Sequence, residues 1–361
     1  MLELPRTLIS FAVVLGVLVF FHELGHYLAA RWAGIKVEVF SIGFGPKLIA
    51  WTDKHGTEWR VCVLPLGGYV KMHGMEQPEE IPEAERAIWT QGQTFHGKSI
   101  GARAVVIAAG PVANFLLAIV LFFGLFVSVG RSYITPSVLE VVKGGAAAKA
   151  GIENGDLITA INGVNIKQFE DLQKIVGASA GKPLQFTVER KQHLITMPVV
   201  PVASGGSAII GIRGGGVAFE HLPLGSALVD SVTETYQIGR DDLAGIGKIF
   251  SGAASPSDLS GTIGIAQLSG EAAKAGLPTL INFIAFISVN LGLINLFPIP
   301  VLDGGHLLFL ATEAVRRKPL SPRIQGMAMY VGLTLIVMLM LLGARNDLGR
   351  LGLFQWAGHF F

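Results

Sequence analysis

This chain reads as a polytopic α-helical membrane protein with four transmembrane helices and a polar α+β domain inserted between the second and third. Three observations lead there. Of its 361 residues, 51% are hydrophobic and 15% charged, and the mean hydropathy is +0.54, well above a soluble globular average. Four stretches are long and apolar enough to supply the ~20 helical residues that a bilayer core about 30 Å thick requires. One long polar region, 131–277, parts the second stretch from the third and is too hydrophilic to span.

The first span covers about 7–30. It lacks a basic start with a small-residue cleavage site and carries His22, Glu23 and His26, so it is expected to stay in the mature protein rather than leave as a signal peptide. A loop, 31–103, follows, then the second span at about 104–130, completing a first membrane half of 1–133. The second half, 278–361, holds the third span at about 278–314 and the fourth at about 326–344. The short loop from Arg316 to Arg323 is basic and therefore cytoplasmic by the positive-inside rule. Four spans then put 31–103, with its nine Lys or Arg residues, on the same side, and the polar region with both termini on the other. A net charge of +2 and the lack of a basic stripe give no reason to expect a nucleic-acid partner. The single cysteine, Cys62, excludes an internal disulfide and reads as an ordinary half-buried residue.

His22-Glu23-Leu24-Gly25-His26 is an HExxH pattern inside an apolar helix. Positions four apart share a helix face, so both imidazoles reach one tetrahedral zinc while Glu23 stands beside it as a base. The alternative is a buried polar network joining helices, but each ionisable residue at mid-span costs about 2.5–3.5 kcal/mol and calls for a ligand or partner. A hydrolytic zinc needs a third protein ligand and an open fourth position. The third span offers Asp303 and His306 just after Pro298 and Pro300, two prolines that break the helix where unwound backbone must line a protein cavity. Asp303 is the stronger candidate, with His306 as a packing or hydrogen-bonded neighbour. Asn114 in the second span is either interhelical glue or a functional group.

Together these residues resemble the site-2 protease family of intramembrane metalloproteases, and more narrowly its bacterial regulator-of-sigma-E protease branch. The likeness rests on HExxH in the first span and Asn295-x-x-Pro298-x-Pro300-x-Leu302-Asp303-Gly304 in the third, with Gly110-Pro111-Val112-Ala113-Asn114 and the stretch Leu259 to Ala266 between them. The resemblance implies one zinc ion per chain held by His22, His26 and Asp303, with Glu23 as catalytic base and Asn114 holding the substrate backbone or the developing oxyanion. It implies a membrane-associated β-hairpin at Val63 to Met72, in which Gly67, Gly68 and Tyr69 hold an extended substrate by strand addition. Gly151 to Gly163 resembles part of a bacterial PDZ domain, so 134–203 is expected to be an extracytoplasmic PDZ-like domain that binds an extended peptide or acts as a steric plug. Some members of the branch carry two such copies; one is visible here. The remaining 204–277 reads as a connector, with Leu228 to Phe250 as a possible interfacial amphipathic helix. The implied function is cleavage of transmembrane segments of single-pass proteins, such as anti-sigma factors or remnant signal peptides, in the inner membrane of a bacterium. The readings from other classes are a zinc-dependent membrane chaperone or transporter, and a PDZ-bearing membrane anchor without proteolysis.

Overall fold

The computed structural model describes residues 3–75, 89, 92–253, 255 and 261–350. Residues 76–88 of the first loop, and Leu259 and Ser260 before the third span, lie outside the described residues. The chain forms two compact units, one of 126–225 and the other of the chain on either side of it.

The chain opens with helix α1, Glu3–Trp32. It carries Arg31 in its last turn, where a cation suits the helix dipole, and Gly34 beyond it takes a left-handed φ of 68° that ends the helix. Strands β1, Val37–Thr52, and β2, Glu58–Met72, form an antiparallel hairpin. Asp53 sets the turn, its Oδ1 accepting the amides of His55 and Thr57 at 2.8 and 3.0 Å. Val39 pairs with both Lys71 and Glu58, and Phe40 with both Val70 and Trp59, so the start of β1 lies between the two ends of β2. Gly68, Tyr69 and Val70 of β2 pair with Ile42, Ser41 and Phe40 of β1. Helix α2, Ile100–Ser128, follows. Phe40, Val70 and Met72 of the hairpin bury themselves against Tyr27 and Ala30 of α1 and Val106 and Ile107 of α2. That contact fixes the hairpin beside the first two helices.

In the unit 126–225 the elements are β3 (Arg131–Ile134), β4 (Val138–Val141), α3 (Ala146–Ala150), β5 (Leu157–Ile161), β6 (Val164–Asn165), α4 (Phe169–Gly177), β7 (Leu184–Arg190), β8 (His193–Val199), β9 (Val202–Ser204), β10 (Ser207–Ile209), β11 (Ile212–Gly214) and β12 (Val217–Glu220). An antiparallel sheet of order β6-β5-β7-β8 carries the core, with Ile158, Ile161, Phe186 and Val188 fully buried. Asn162 and Gly163 both take positive φ, 49° and 78°, as the two-residue hairpin turn expected of Asn-Gly demands. The unit runs beyond 203. Strands β11 and β12 return to pair with β4 and β3, and their three or four residues set among glycines are too short to announce themselves as strands.

The stretch read as a connector contains two helices, α5 (Leu224–Phe250) and α6 (Thr262–Ala275). Asp347, 3% exposed, accepts the amides of Gly261 and Gly264 at 3.0 and 2.9 Å and so satisfies the start of α6. Helix α7, Leu277–Asn295, ends before the proline-rich break, and α8, Asp303–Arg316, begins after it. Asp347 belongs to α9, Pro322–Arg350. Among the described residues, α1, α2, α7 and α9 are the four helices long and apolar enough to cross a membrane. Val14 and Leu18 of α1, Leu117 of α2 and Ile284 of α7 share one buried cluster. Arg103 of α2 and Glu313 of α8 form a two-pronged ion pair at 2.6 and 3.2 Å, with Arg103 buried.

Candidate metal centre

His22 and His26 lie one turn apart on α1 with their rings edge to face, their Nε2 atoms 3.3 Å from each other. Asp303, the first residue of α8, sets Oδ2 3.2 Å from His22 Nε2 and Oδ1 3.5 Å from His26 Nε2. Among the described residues this is the one group of three or more His, Cys, Asp or Glu side chains whose donor atoms converge. A tetrahedral zinc with bonds of about 2.0–2.1 Å spaces its ligand atoms about 3.3–3.4 Å apart, close to the separation of the two imidazole nitrogens and of each from one of the Asp303 oxygens. His26 Nδ1 lies 2.9 Å from the carbonyl oxygen of Val106. A carbonyl only accepts, so Nδ1 carries the proton and Nε2 presents a lone pair to the centre. Asp303 Oδ2 is buried and accepts no hydrogen bond. Lone pairs facing one another in a buried site are stable when a cation sits among them, so the donor set fits a divalent metal.

The sequence places Asp303 here through the break before it. Leu302 is extended at φ −92° and ψ 163°, and Val301 takes a left-handed φ of 91°. Pro298 and Pro300 prevent the helix of α7 from running on, so a new helix starts at this depth with Asp303 in its first turn. Gly110 of α2 faces both imidazoles. A Cβ there would lie 2.3 Å from His26 Nε2 and 2.9 Å from His22 Cε1, so only a glycine lets α2 lie this close.

A cavity of about 340 Å³ opens on the three donors. Glu23, 8% exposed, lines it, as do Gly67, Gly68 and Tyr69 of β2. Gly68 is pressed between β1 and α1: a Cβ there would sit 2.6 Å from Ser41 O and 3.0 Å from Glu23 Cγ. The two histidines, Glu23, Asp303 and the three hairpin residues thus meet around one space.

Asn114 does not join them. It is fully buried, is not on the cavity wall, and turns its amide to the far nitrogen of His22 at 3.1 Å. His306 stands outside the donor group and donates from Nδ1 to Leu302 O at 3.1 Å. Cys62 is buried at 7% rather than half-buried, beside Ser41. Asn295 and Val301 line the cavity without having been singled out as site residues. Their signal was available, because both belong to the same interrupted stretch as Asp303.

Two imidazoles and a carboxylate beside a free glutamate define the donor set of a metal-dependent hydrolase. The model of the family described as "Peptidase family M50" matches residues 10–339. Metalloprotease MmpA of Caulobacter vibrioides is 37% identical, with 98% of each chain covered. Zinc metalloprotease RasP of Geobacillus kaustophilus is 34% identical over 97% of this chain and 99% of its own. Among solved structures, the PDZ domain of an SdrC-like protein from Listeria monocytogenes covers 23% of this chain and 88% of its own, at 22% identity and a TM-score of 0.21. The chain belongs to peptidase family M50 and is an integral membrane metalloprotease.

Proposed function

We propose that this enzyme hydrolyses peptide bonds within membrane-spanning segments of other proteins, with His22, His26 and Asp303 as the ligands of one zinc ion and Glu23 as the general base. The observation that carries this reading is the convergence of donor atoms from three side chains at 3.2–3.5 Å among helices apolar enough to cross a bilayer. Zinc is the cofactor, and when bound it polarises the scissile carbonyl and lowers the pKa of a coordinated water toward about 7. Glu23 takes a proton from the attacking water and returns it to the leaving amine nitrogen.

A helical substrate hides its peptide bonds in its own hydrogen bonds, so it must be held extended before it is cut. The stretch of β2 beside Glu23 suits strand addition, with Gly67, Gly68 and Tyr69 on the cavity wall bearing on the substrate backbone. The far half of the hairpin exposes Leu48, Ile49 and Trp51, which supports a position against lipid. The basic loop 316–323 supports a cytoplasmic-side active site in a bacterial inner membrane, with the PDZ-like unit on the other side screening or binding extended peptide. Single-pass proteins such as anti-sigma factors or remnant signal peptides are the substrate class.

Glu23→Gln tests the assignment. The variant should bind zinc as the wild type does and leave a co-expressed single-pass substrate intact, while His22→Ala should lose the metal as well. Cleavage by Glu23→Gln at the wild-type rate would remove Glu23 from the chemistry.

A further inference from the structure

We infer that Asn114 is a positioning residue that holds His22 with its proton on Nδ1, leaving Nε2 free to ligate the metal; this rests on the reading of His22 as a zinc ligand. Asn114 is fully buried, and its side-chain amide lies 3.1 Å from His22 Nδ1. With Nδ2 toward the ring, Oδ1 is left buried with no hydrogen-bond partner. Nitrogen and oxygen of an amide exchange places by a half-turn. The setting with Oδ1 toward His22 is the one that gives this oxygen a donor, the Nδ1–H of the imidazole.

The metal side of the ring demands the same setting. His22 Nε2 faces His26 Nε2 and Asp303 Oδ2 at 3.3 and 3.2 Å. It offers a cation among them a lone pair only if the ring proton sits on Nδ1. A donor there needs an acceptor, and Asn114 occupies the place. His26 meets the same need through Val106 O. Val106, Gly110 and Asn114 follow one another at intervals of one turn along α2. One face of that helix thus presents acceptor, gap, acceptor to the two ligands. Helix α7 secures the last of them, because Ser288 Oγ donates to the backbone oxygen of Asn114 at 2.8 Å.

The test uses the purified full-length protein in detergent and reads zinc affinity by chelator competition for wild type, Asn114→Leu, Asn114→Asp and His22→Ala. Asn114→Leu keeps the volume and removes the acceptor, and affinity should fall by about 10–100-fold. Asn114→Asp can only accept, so it should stay within about threefold of wild type. Wild-type affinity in Asn114→Leu overturns the inference, as does a loss of about tenfold or more in Asn114→Asp, which keeps the question decidable if the Leu variant does not fold. In either case, zinc in the wild type and its loss in His22→Ala leave the ligand reading standing. Absence of zinc from the wild type, or its retention by His22→Ala, defeats that reading and this inference with it.

Discussion

Replacing Gly110 by alanine should abolish tight metal binding without unfolding the protein. The added methyl carbon would be 2.3 Å from His26 Nε2, 2.6 Å from His26 Cε1 and 2.9 Å from His22 Cε1. The first of these is more than about 1 Å inside the ~3.5 Å at which such atoms come to rest. His26 has no free direction of retreat, since its Nδ1 is tied to Val106 O at 2.9 Å on the same helix that carries the methyl. Metal–ligand distances tolerate about 0.2 Å, so a ring displaced by ~1 Å ceases to be a ligand. A loss of about 100-fold or more in zinc affinity follows, equivalent to about 2.7 kcal/mol. Alanine is the better helix former by up to about 1 kcal/mol, so thermal unfolding of the chelator-treated protein should be unchanged or slightly raised. The assay is competition between the detergent-solubilised protein and a zinc indicator, run beside a melting curve on the metal-free form. Wild-type zinc affinity in Gly110→Ala would mean that the imidazoles do not face α2 at this point, and the geometry of the centre would be refuted.

Gly68→Ala should separate substrate handling from metal binding: the methyl meets Ser41 O and Val19 Cγ1 at 2.6 and 2.7 Å, so β2 shifts, and cleavage should fall by about tenfold or more with zinc content unchanged. Asp53 titrates at about 2: burial pushes it up, but the Trp59 indole, the Thr57 and His55 amides and the Tyr27 hydroxyl outweigh burial. Its folded value lies below the unfolded one of about 3.9, so its contribution to hairpin stability is complete above that pH and is lost as pH falls through about 2. Trp59, which donates to Asp53 Oδ2 at 3.0 Å, should report this by fluorescence, and Asp53→Asn should flatten the transition. Asp156→Ala removes a 1%-exposed carboxylate that binds Arg190 through two contacts of 2.7 Å and should lower the stability of the 126–225 unit by about 3 kcal/mol, read as faster hydrogen exchange in β7; exchange at the wild-type rate would contradict it.

The sequence made the proposed ligands legible, but not the groups that would aim them. His22 and His26 stand one turn apart in an apolar helix, and Asp303 directly follows two prolines, so local spacing alone marks all three. Val106 and Asn114 lie 80 and 92 residues from the imidazoles they face, and no local pattern links them. For Asn114 the residue type itself suggested a polar role, yet nothing in one sequence says whether an asparagine on a membrane helix turns toward a cavity or a neighbouring ring. Gly110 reads as an ordinary helix-shaping glycine until the helix opposite is known. Strands β11 and β12 were not legible in the sequence, because they gain their meaning only from strands some seventy or more residues earlier.

The break before Asp303 also answers an electrostatic question that ligand geometry alone leaves open. A carboxylate amid apolar helices is expensive unless opposite charge lies close, and the metal supplies it only when bound. In an unbroken α7, position 303 would fall on a mid-helix turn whose amides are all engaged. Because Pro298 and Pro300 end that helix, Asp303 instead occupies the first turn of α8, where free amides and the helix dipole favour a negative charge by about 0.3–1 kcal/mol and more when partly buried. The stretch between the helices is held hard against the new one: Cβ atoms at Gly304 and Gly305 would fall 2.3 and 2.4 Å from the carbonyl oxygens of Leu296 and Ile299. Val301, a β-branched residue at φ 91°, costs about 1–3 kcal/mol in that conformation, and this close packing maintains it. A break that only interrupted the helix could use glycine at 301 and avoid the strain. With valine there, on the wall of the cavity, the break that positions Asp303 is joined to the surface proposed to meet the substrate.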